Sequence, residues 1–170
     1  MRHAIFARTP ALVAVAALLG ACGDSGGSAL GEAGTRGVIA SASDCVAFGP
    51  GAVDACAKAI ERAVSSHEAS TQAYAQIESC ESAAGAGMCE RAASGMYRPR
   101  LSAFLVTVGE TTRAEPLYPA EPGTVGFRTA NKSAVAANDR SVTFSRLALS
   151  VAESQASAQG GKKTRNNLAF

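Results

Sequence analysis

The first apolar run of the chain lies near the N-terminus, from Ala11 to Leu19, directly after a stretch that carries Arg2 and Arg8. A basic start, a short apolar run and small residues at its end are the three parts of a secretory signal. The run is too short for a membrane-spanning helix, which needs ~20 apolar residues. The pattern therefore predicts a cleaved signal peptide over residues 1–21.

The leader ends in Leu19-Gly20-Ala21-Cys22, which is the pattern that a bacterial lipoprotein peptidase cuts. We expect Cys22 to be acylated, to become the mature N-terminus and to make the membrane a partner of the protein through its lipid anchor. The alternative is a plain secretory cut after Ala21, which leaves a free cysteine. Because Gly23 and not aspartate follows Cys22, the sorting signal favours the outer membrane over the inner membrane.

Composition divides the mature chain into three parts. Residues 22–37 are rich in Gly and Ser, as flexible linkers are, and we expect a tether there. Residues 152–170 are polar and contain a basic run, which predicts a disordered tail. A single folded domain is expected over residues 38–151. It is rich in Ala and has no Trp, so its core should be shallow and should need cross-links.

Helical spacing organises the first half of that domain. Ser41, with Asp44 three residues later, resembles a capping box and predicts a short helix that stops near Gly49. A second helix is expected from about Val53 to Ser66, because apolar residues recur there on one face. The residues of that face are Val53, Cys56, Ile60, Ala63, Val64 and His67.

The two cysteine-containing segments resemble each other. Each has an apolar residue six positions before its first cysteine, then a glycine turn, then a second cysteine followed by helix-forming residues. The second cysteines are Cys56 and Cys89, and a short helix is expected from Met88 to about Gly95. Internal similarity of this kind indicates a duplicated supersecondary unit.

After Pro99 the pattern changes to alternation with a period of two, which is typical of strands. Extended segments are expected over residues 101–108, 123–129 and 141–151. Leu117 and Tyr118, between two prolines, suit an edge or extended segment. The fold class predicted is small α+β: a disulfide-cross-linked helical N-terminal half of two similar helix-turn-helix-like units, a short β or extended C-terminal half, and a disordered tether and tail.

Four cysteines remain besides Cys22, and an even number in an exported chain implies two disulfides. If each repeat is a unit, the pairs are Cys45–Cys56 and Cys80–Cys89, which is the pairing we favour. A nested pairing, Cys56–Cys80 and Cys45–Cys89, is the alternative. Zinc is disfavoured because structural sites prefer close C-x-x-C pairs. We expect His67, beside Glu68, to be a surface residue, and we expect no metal site.

Charge and motifs exclude several classes of function. The formal net charge is +2, and no basic patch is interleaved with aromatic residues, so no nucleic-acid partner is expected. The chain contains none of the common catalytic or phosphate-binding motifs, and its polar candidates are scattered. We therefore expect no enzyme, no catalytic residue and no cofactor.

The chain resembles the YgiB-like family of bacterial envelope lipoproteins, a family with no assigned molecular function. The matching residues are Arg2-His3-Ala4, Gly20-Ala21-Cys22, Ser43-Asp44-Cys45, Cys56-Ala57-Lys58-Ala59, Tyr74, Cys80-Glu81, Gly85, Cys89 and Pro116-Leu117-Tyr118. The chain lacks a long Gly/Met/Gln-rich insert that follows the last cysteine in a relative. The resemblance implies an envelope location and no known catalytic residue.

Two hypotheses of function follow from the sequence. The first is a lipid-anchored bacterial envelope protein, facing the periplasm, that acts as a non-catalytic structural or protein-interaction module with an envelope protein as its partner. The second is a periplasmic protein that binds a small ligand or a metal.

Overall fold

The computed structural model describes residues 34–166, with the side chains of residues 34–159. Three α-helices, two short 3-10 helices and eight strands make up this part of the chain. The elements are β1 (Arg36–Ile39), 3-10 helices at Ala42–Phe48 and Pro50–Ala52, α1 (Val53–Ser70), α2 (Ile77–Ala84), β2 (Cys89–Arg91), β3 (Tyr97–Pro99), β4 (Ala103–Thr107), β5 (Arg113–Pro119), β6 (Gly126–Arg128), β7 (Ala134–Ala136), β8 (Thr143–Phe144) and α3 (Arg146–Asn166).

Six strands form one sheet in the order β7-β6-β5-β4-β1-β8. Neighbouring strands are antiparallel, except that β8 runs parallel to β1. β5 pairs with β4 along residues 113–117 and with β6 only at Tyr118 and Pro119. Each side of β5 is therefore paired over only part of its length, which accommodates its prolines.

The sheet is covered on both faces, so the fold has three layers. On one face, α1 and the first 3-10 helix pack over Ile39, Phe104 and Val106. On the other face, α3 places Ala148 and Ala152 against a core that includes Val38, Leu105, Leu117 and Phe127. Strands alternate their side chains between the two faces of a sheet. Because both faces are covered here, β1 and β4 are apolar at consecutive positions.

A smaller unit lies beside the sheet. β2 and β3 form a two-stranded antiparallel hairpin, and α2 packs on both of its strands. Tyr74, in the segment between α1 and α2, makes backbone hydrogen bonds in both directions with Tyr97 at the start of β3, with N–O distances of 2.7 Å.

Both disulfides are local. Cys45 of the first 3-10 helix is bonded to Cys56 of α1, with 5.8 Å between their Cα atoms. Cys80 of α2 is bonded to Cys89 of β2, with 6.2 Å between their Cα atoms. The structure therefore has the pairing that the repeat favours, and not the nested alternative.

The repeat extends less far than the sequence predicts. The first copy has a 3-10 helix followed by α1, which begins at Val53 as expected and continues to Ser70. In the second copy, the helix expected from Met88 to Gly95 is wrong, since β2 and β3 form a hairpin there. Gly95 takes a positive φ of 82° in the hairpin turn, where its N–H donates to the Ala92 carbonyl.

Two boundaries also differ from the prediction. β1 begins at Arg36, inside the expected tether of residues 22–37, and lies between β4 and β8 in the sheet, so the N-terminal half is not all helical. The strand expected over residues 141–151 is limited to Thr143–Phe144, and α3 then runs through the expected tail to Asn166. Residues 22–33 of the expected tether and residues 167–170 of the expected tail lie outside the described part.

The alternation of apolar residues that predicted a strand lies on α3. Leu147 and Leu149 alternate as a strand would, but they are 45% and 36% exposed. Ala148 and Ala152, four residues apart, are fully buried against the sheet. The face of this helix that contacts the sheet is formed by small residues. A count of large hydrophobic residues therefore does not reveal this face.

We predict that Gly126→Ala destabilises the sheet strongly. Gly126 has a φ of 152°, and a Cβ there would clash with the Val135 carbonyl oxygen and would lie 2.9 Å from the Ala136 Cα atom. We expect a loss of about 3 kcal/mol in the free energy of unfolding, measured by urea titration. Gly109→Ala is the matched control, because a Cβ there meets no atom within 4 Å. Equal stability of the two variants would contradict the close approach of β6 and β7.

Candidate functional site

A cavity of about 300 Å³ lies where the smaller unit meets the sheet. Its walls come from the end of α1, the end of α2, β3, β5 and the turn between β6 and β7. The lining residues fall into three groups: apolar Ala83, Ala84, Pro99 and Ala130; hydroxyl-bearing Ser70, Thr71, Tyr74, Tyr118 and Thr129; and cationic Arg128 and Lys132. The volume is at the lower end of the range for small-molecule sites.

His67 stands behind the wall of this cavity, on the buried face of α1, and is only 2% exposed. Its Nδ1 atom lies 3.0 Å from the hydroxyl of Tyr118 and 2.9 Å from Oγ1 of Thr71. The donor in each hydrogen bond depends on which ring nitrogen carries the proton. Both hydroxyls belong to the cavity wall, so His67 fixes the position of two lining side chains.

The surroundings of His67 favour its neutral form. Burial is the main cause that lowers its pKa below the ordinary value of 6.5, and the charge of Arg98 lowers it further. Glu90 and Glu68 act in the opposite direction but do not compensate. Nε2 is buried without a hydrogen-bond partner among the described residues, so an imidazolium would bury an unpaired N–H there.

Arg128 forms the opposite wall, and its side chain is 10% exposed. One terminal nitrogen donates to the Ala84 carbonyl at the end of α2 and lies 3.1 Å from the sulfur of Met88. The other donates to Glu121 Oε1 at 3.1 Å. A cation at the carboxyl end of a helix complements the partial negative charge of the last carbonyls. Arg128 therefore joins α2 to β6.

Lys132 lies in the tight turn between β6 and β7. The turn is closed by hydrogen bonds from Thr129 N–H to the Ser133 carbonyl and from Lys132 N–H to the Thr129 carbonyl, both 3.0 Å long. Lys132 has a φ of 67°, and it is the one non-glycine residue with positive φ among the described residues. Hairpin turns of this length usually place Gly at that position.

The residues predicted from the sequence are brought together only in part. None of the four paired cysteines lines the cavity. Cys80–Cys89 joins α2, whose end lines the cavity, to β2, whereas Cys45–Cys56 lies near the start of α1, away from the cavity. Cys22 lies outside the described residues. The surface position expected for His67 is wrong, because the helical face on which it lies packs against the sheet. In the described part of the chain, no group of three or more potential metal ligands lies together.

Sequence reasoning missed Tyr118, Arg128 and Lys132 as cavity residues. The sequence predicts only an extended segment around Tyr118, and the contact of Tyr118 with His67 joins positions 51 residues apart. Arg128 follows buried Phe127 in a strand and points to the opposite face. A charged residue in a short apolar strand was the one available signal, and it does not reveal the partner.

We predict that acidification destabilises the protein through His67. Because its pKa is lowered in the folded state, the unfolded state binds more protons below pH 6.5. The stability contributed by neutral His67 is complete above about pH 6.5 and is lost as the pH falls toward the folded pKa. Urea unfolding at pH 7.5, 6.5 and 5.5 should therefore show decreasing stability.

The control for this measurement is His67→Asn, which keeps a polar atom near the Nδ1 position. The chain has two histidines, so His3 is the other one. The variant should be less stable than the wild type at pH 7.5 but should lose less stability between pH 6.5 and 5.5. The same loss in both proteins would show that another group titrates.

The remaining findings concern membrane-spanning helices and the family to which the chain belongs. Among the described residues, no helix is long and apolar enough to cross a membrane. No curated protein and no solved structure matches the chain. A family model described as "Protein of unknown function (DUF1190)" matches residues 34–168, which include every described strand and helix. The chain therefore belongs to the DUF1190 family of proteins of unknown function.

Proposed function

We propose that this protein is a lipid-anchored component of the bacterial envelope that acts as a non-catalytic interaction module. Cys22, acylated after cleavage of the leader, attaches it to the membrane, and the outer membrane is favoured. The resemblance to the YgiB-like lipoproteins supports the proposal. The folded part then faces the periplasm at the end of a short tether.

The two disulfides are the observation that carries this proposal. Cys45–Cys56 connects elements that cover one face of the sheet, and Cys80–Cys89 connects the elements of the smaller unit. Disulfides form and persist in oxidising compartments such as the periplasm. Chain-entropy arithmetic for loops this short gives a contribution of roughly 3 kcal/mol each. That is a large share of the stability of a domain with an Ala-rich core.

The arrangement around the cavity supports binding over catalysis. A catalytic site needs several convergent groups with a nucleophile, a base and an orienting partner. His67 has hydroxyl neighbours, but its Nε2 faces no carboxylate among the described residues. Arg128 is engaged with Ala84, Met88 and Glu121. These side chains hold the walls in place.

A second candidate function is the binding of a small periplasmic ligand. The observation that favours it is the cavity, which is bordered by two cations and two tyrosines. Metal binding, the other form of this alternative, lacks a comparable cluster in the described residues. The two candidate functions are compatible, because an anchored protein can also bind a ligand.

We predict that Cys22→Ser abolishes lipidation of the protein. In bacteria that express the wild-type chain, metabolic labelling with an alkyne-palmitate analogue should mark the protein, and it should sediment with membranes. The Cys22→Ser variant should lose the label, because serine has no thiol to acylate. If its leader is still cleaved, the variant should also appear in the soluble periplasmic fraction, since the acyl chains supply the membrane affinity of the mature chain.

The same cells test the interaction module. Proximity crosslinking of the wild-type chain should capture one defined envelope protein, and the yield should fall for Cys22→Ser. Ala21→Leu, which obstructs cleavage while keeping Cys22, separates processing from acylation. An unlabelled wild-type protein would contradict the lipid anchor, and capture of only the most abundant neighbours would contradict the interaction module.

A further inference from the structure

We infer that the cavity between α2 and the β6–β7 turn binds a small organic oxyanion, a carboxylate or a phosphate ester, with Lys132 as its cationic contact. The inference deepens the second candidate function and does not depend on the lipid anchor. Lys132 and Arg128 line the cavity, and its lining includes no carboxylate.

The charges around the cavity leave Lys132 without a counter-ion. The positive charge of Arg128 is directed to the Ala84 carbonyl at the end of α2 and to Glu121, which is 72% exposed and lies outside the lining. Among the described residues, no carboxylate oxygen lies within 4.0 Å of the Lys132 ammonium group. Lys132 is itself exposed at the rim of the cavity, so its charge is accessible to an anion that enters from solvent.

The backbone of Lys132 is the second observation. A positive φ of 67° favours Gly or Asn, and a lysine there costs stability relative to either. The turn needs that conformation, since Thr129 N–H and Lys132 N–H both donate hydrogen bonds that close it. Strained positions of this kind concentrate at ligand-binding sites. The side chain of Lys132, and not its backbone, explains why lysine stands in this turn.

The remaining lining indicates the shape of the ligand. The hydroxyls of Ser70 and Thr129 donate to the Ser66 carbonyl and to Asn131 Oδ1. The hydroxyl of Thr71 is bonded to His67, so these three groups make the wall polar and Lys132 supplies the donor to the oxyanion. Tyr74 and Tyr118 offer aromatic rings, and Ala83, Ala84, Pro99 and Ala130 offer apolar surface. A ligand with one oxyanion and a compact aromatic or aliphatic body matches this combination better than a bare inorganic ion.

The purified full chain tests the inference by calorimetric titration and by NMR. The probes are benzoate for a carboxylate, phenyl phosphate for a phosphate ester, benzamide as the uncharged isostere, and inorganic phosphate. We expect benzoate or phenyl phosphate to bind at least tenfold more tightly than benzamide, and to shift amide signals of residues 70–74 and 128–132. The tighter of the two anions identifies the class.

Three variants make the test specific. Lys132→Asn should keep or raise the urea midpoint, because Asn tolerates positive φ, and should weaken anion binding roughly tenfold or more, as the loss of a charge-assisted hydrogen bond does. Lys132→Arg should retain most of the affinity. Lys58→Gln, which removes an exposed lysine of α1 outside the cavity, should bind as the wild type does.

The outcomes separate this inference from the proposed function. Equal binding of benzoate, phenyl phosphate and benzamide would overturn it, as would wild-type affinity in Lys132→Asn. Binding of inorganic phosphate alone would overturn the organic body of the ligand. Failure of every probe to bind, with normal acylation at Cys22 in cells, would reject the ligand while leaving the lipid anchor intact.

Discussion

A buried guanidinium group, that of Arg128, joins the two units of this protein. It projects from β6 and donates to the last turn of α2 at the Ala84 carbonyl, and it also contacts Met88 and Glu121. A buried charge is tolerated only when it has partners, so the position of α2 relative to the sheet is constrained by what Arg128 requires. The cavity beside it exists because this contact keeps α2 and the β6–β7 turn at a fixed separation.

One disulfide extends this constraint through the smaller unit. Because Cys80 of α2 is bonded to Cys89 of β2, holding α2 also holds the hairpin. The hairpin contributes Arg98, which forms ion pairs with Glu90 at 3.1 Å and with Glu68 of α1 at 3.5 Å. The second pair is exposed on the glutamate side and adds little stability on its own. The charge of Arg98 also lowers the pKa of His67. The hairpin therefore influences the protonation of the residue that holds two hydroxyl groups of the cavity wall.

A second polar link connects the two layers that cover the sheet. Asp44, in the first 3-10 helix, accepts hydrogen bonds from Ala40 N–H at 3.0 Å and from the Ser145 hydroxyl at 2.7 Å. The Ser145 hydroxyl in turn accepts from Ala148 N–H in the first turn of α3. The carboxylate that the sequence suggested as part of a capping box therefore supports a helix start 101 residues away.

Local chemistry was predictable from the sequence, and long-range chemistry was not. Helical spacing predicted the start of α1 and the 3-10 helix that ends at a glycine, although α1 continues four residues beyond the predicted end. The cysteine repeat favoured the local disulfide pairing that the structure has. The place of β1 in the sheet depends on a partner strand whose paired residues are more than 60 positions away. The cavity combines residues from five elements. None of these residues signals a cavity in its own stretch of sequence: Tyr118 stands in a segment with two prolines, and Lys132 stands in a polar turn.

Hydrogen exchange of Arg128→Met, measured residue by residue against the wild type, tests the central role of Arg128 most directly. Met keeps much of the apolar length of the side chain but cannot donate to Ala84 or Glu121. We predict that amides of α2 and the β2–β3 hairpin lose protection while those of α1 and β4 keep it, and that Arg113→Met, which changes an exposed arginine of β5, leaves all four elements unchanged. Unchanged protection of α2 in Arg128→Met, or an equal loss throughout the sheet, would contradict the account.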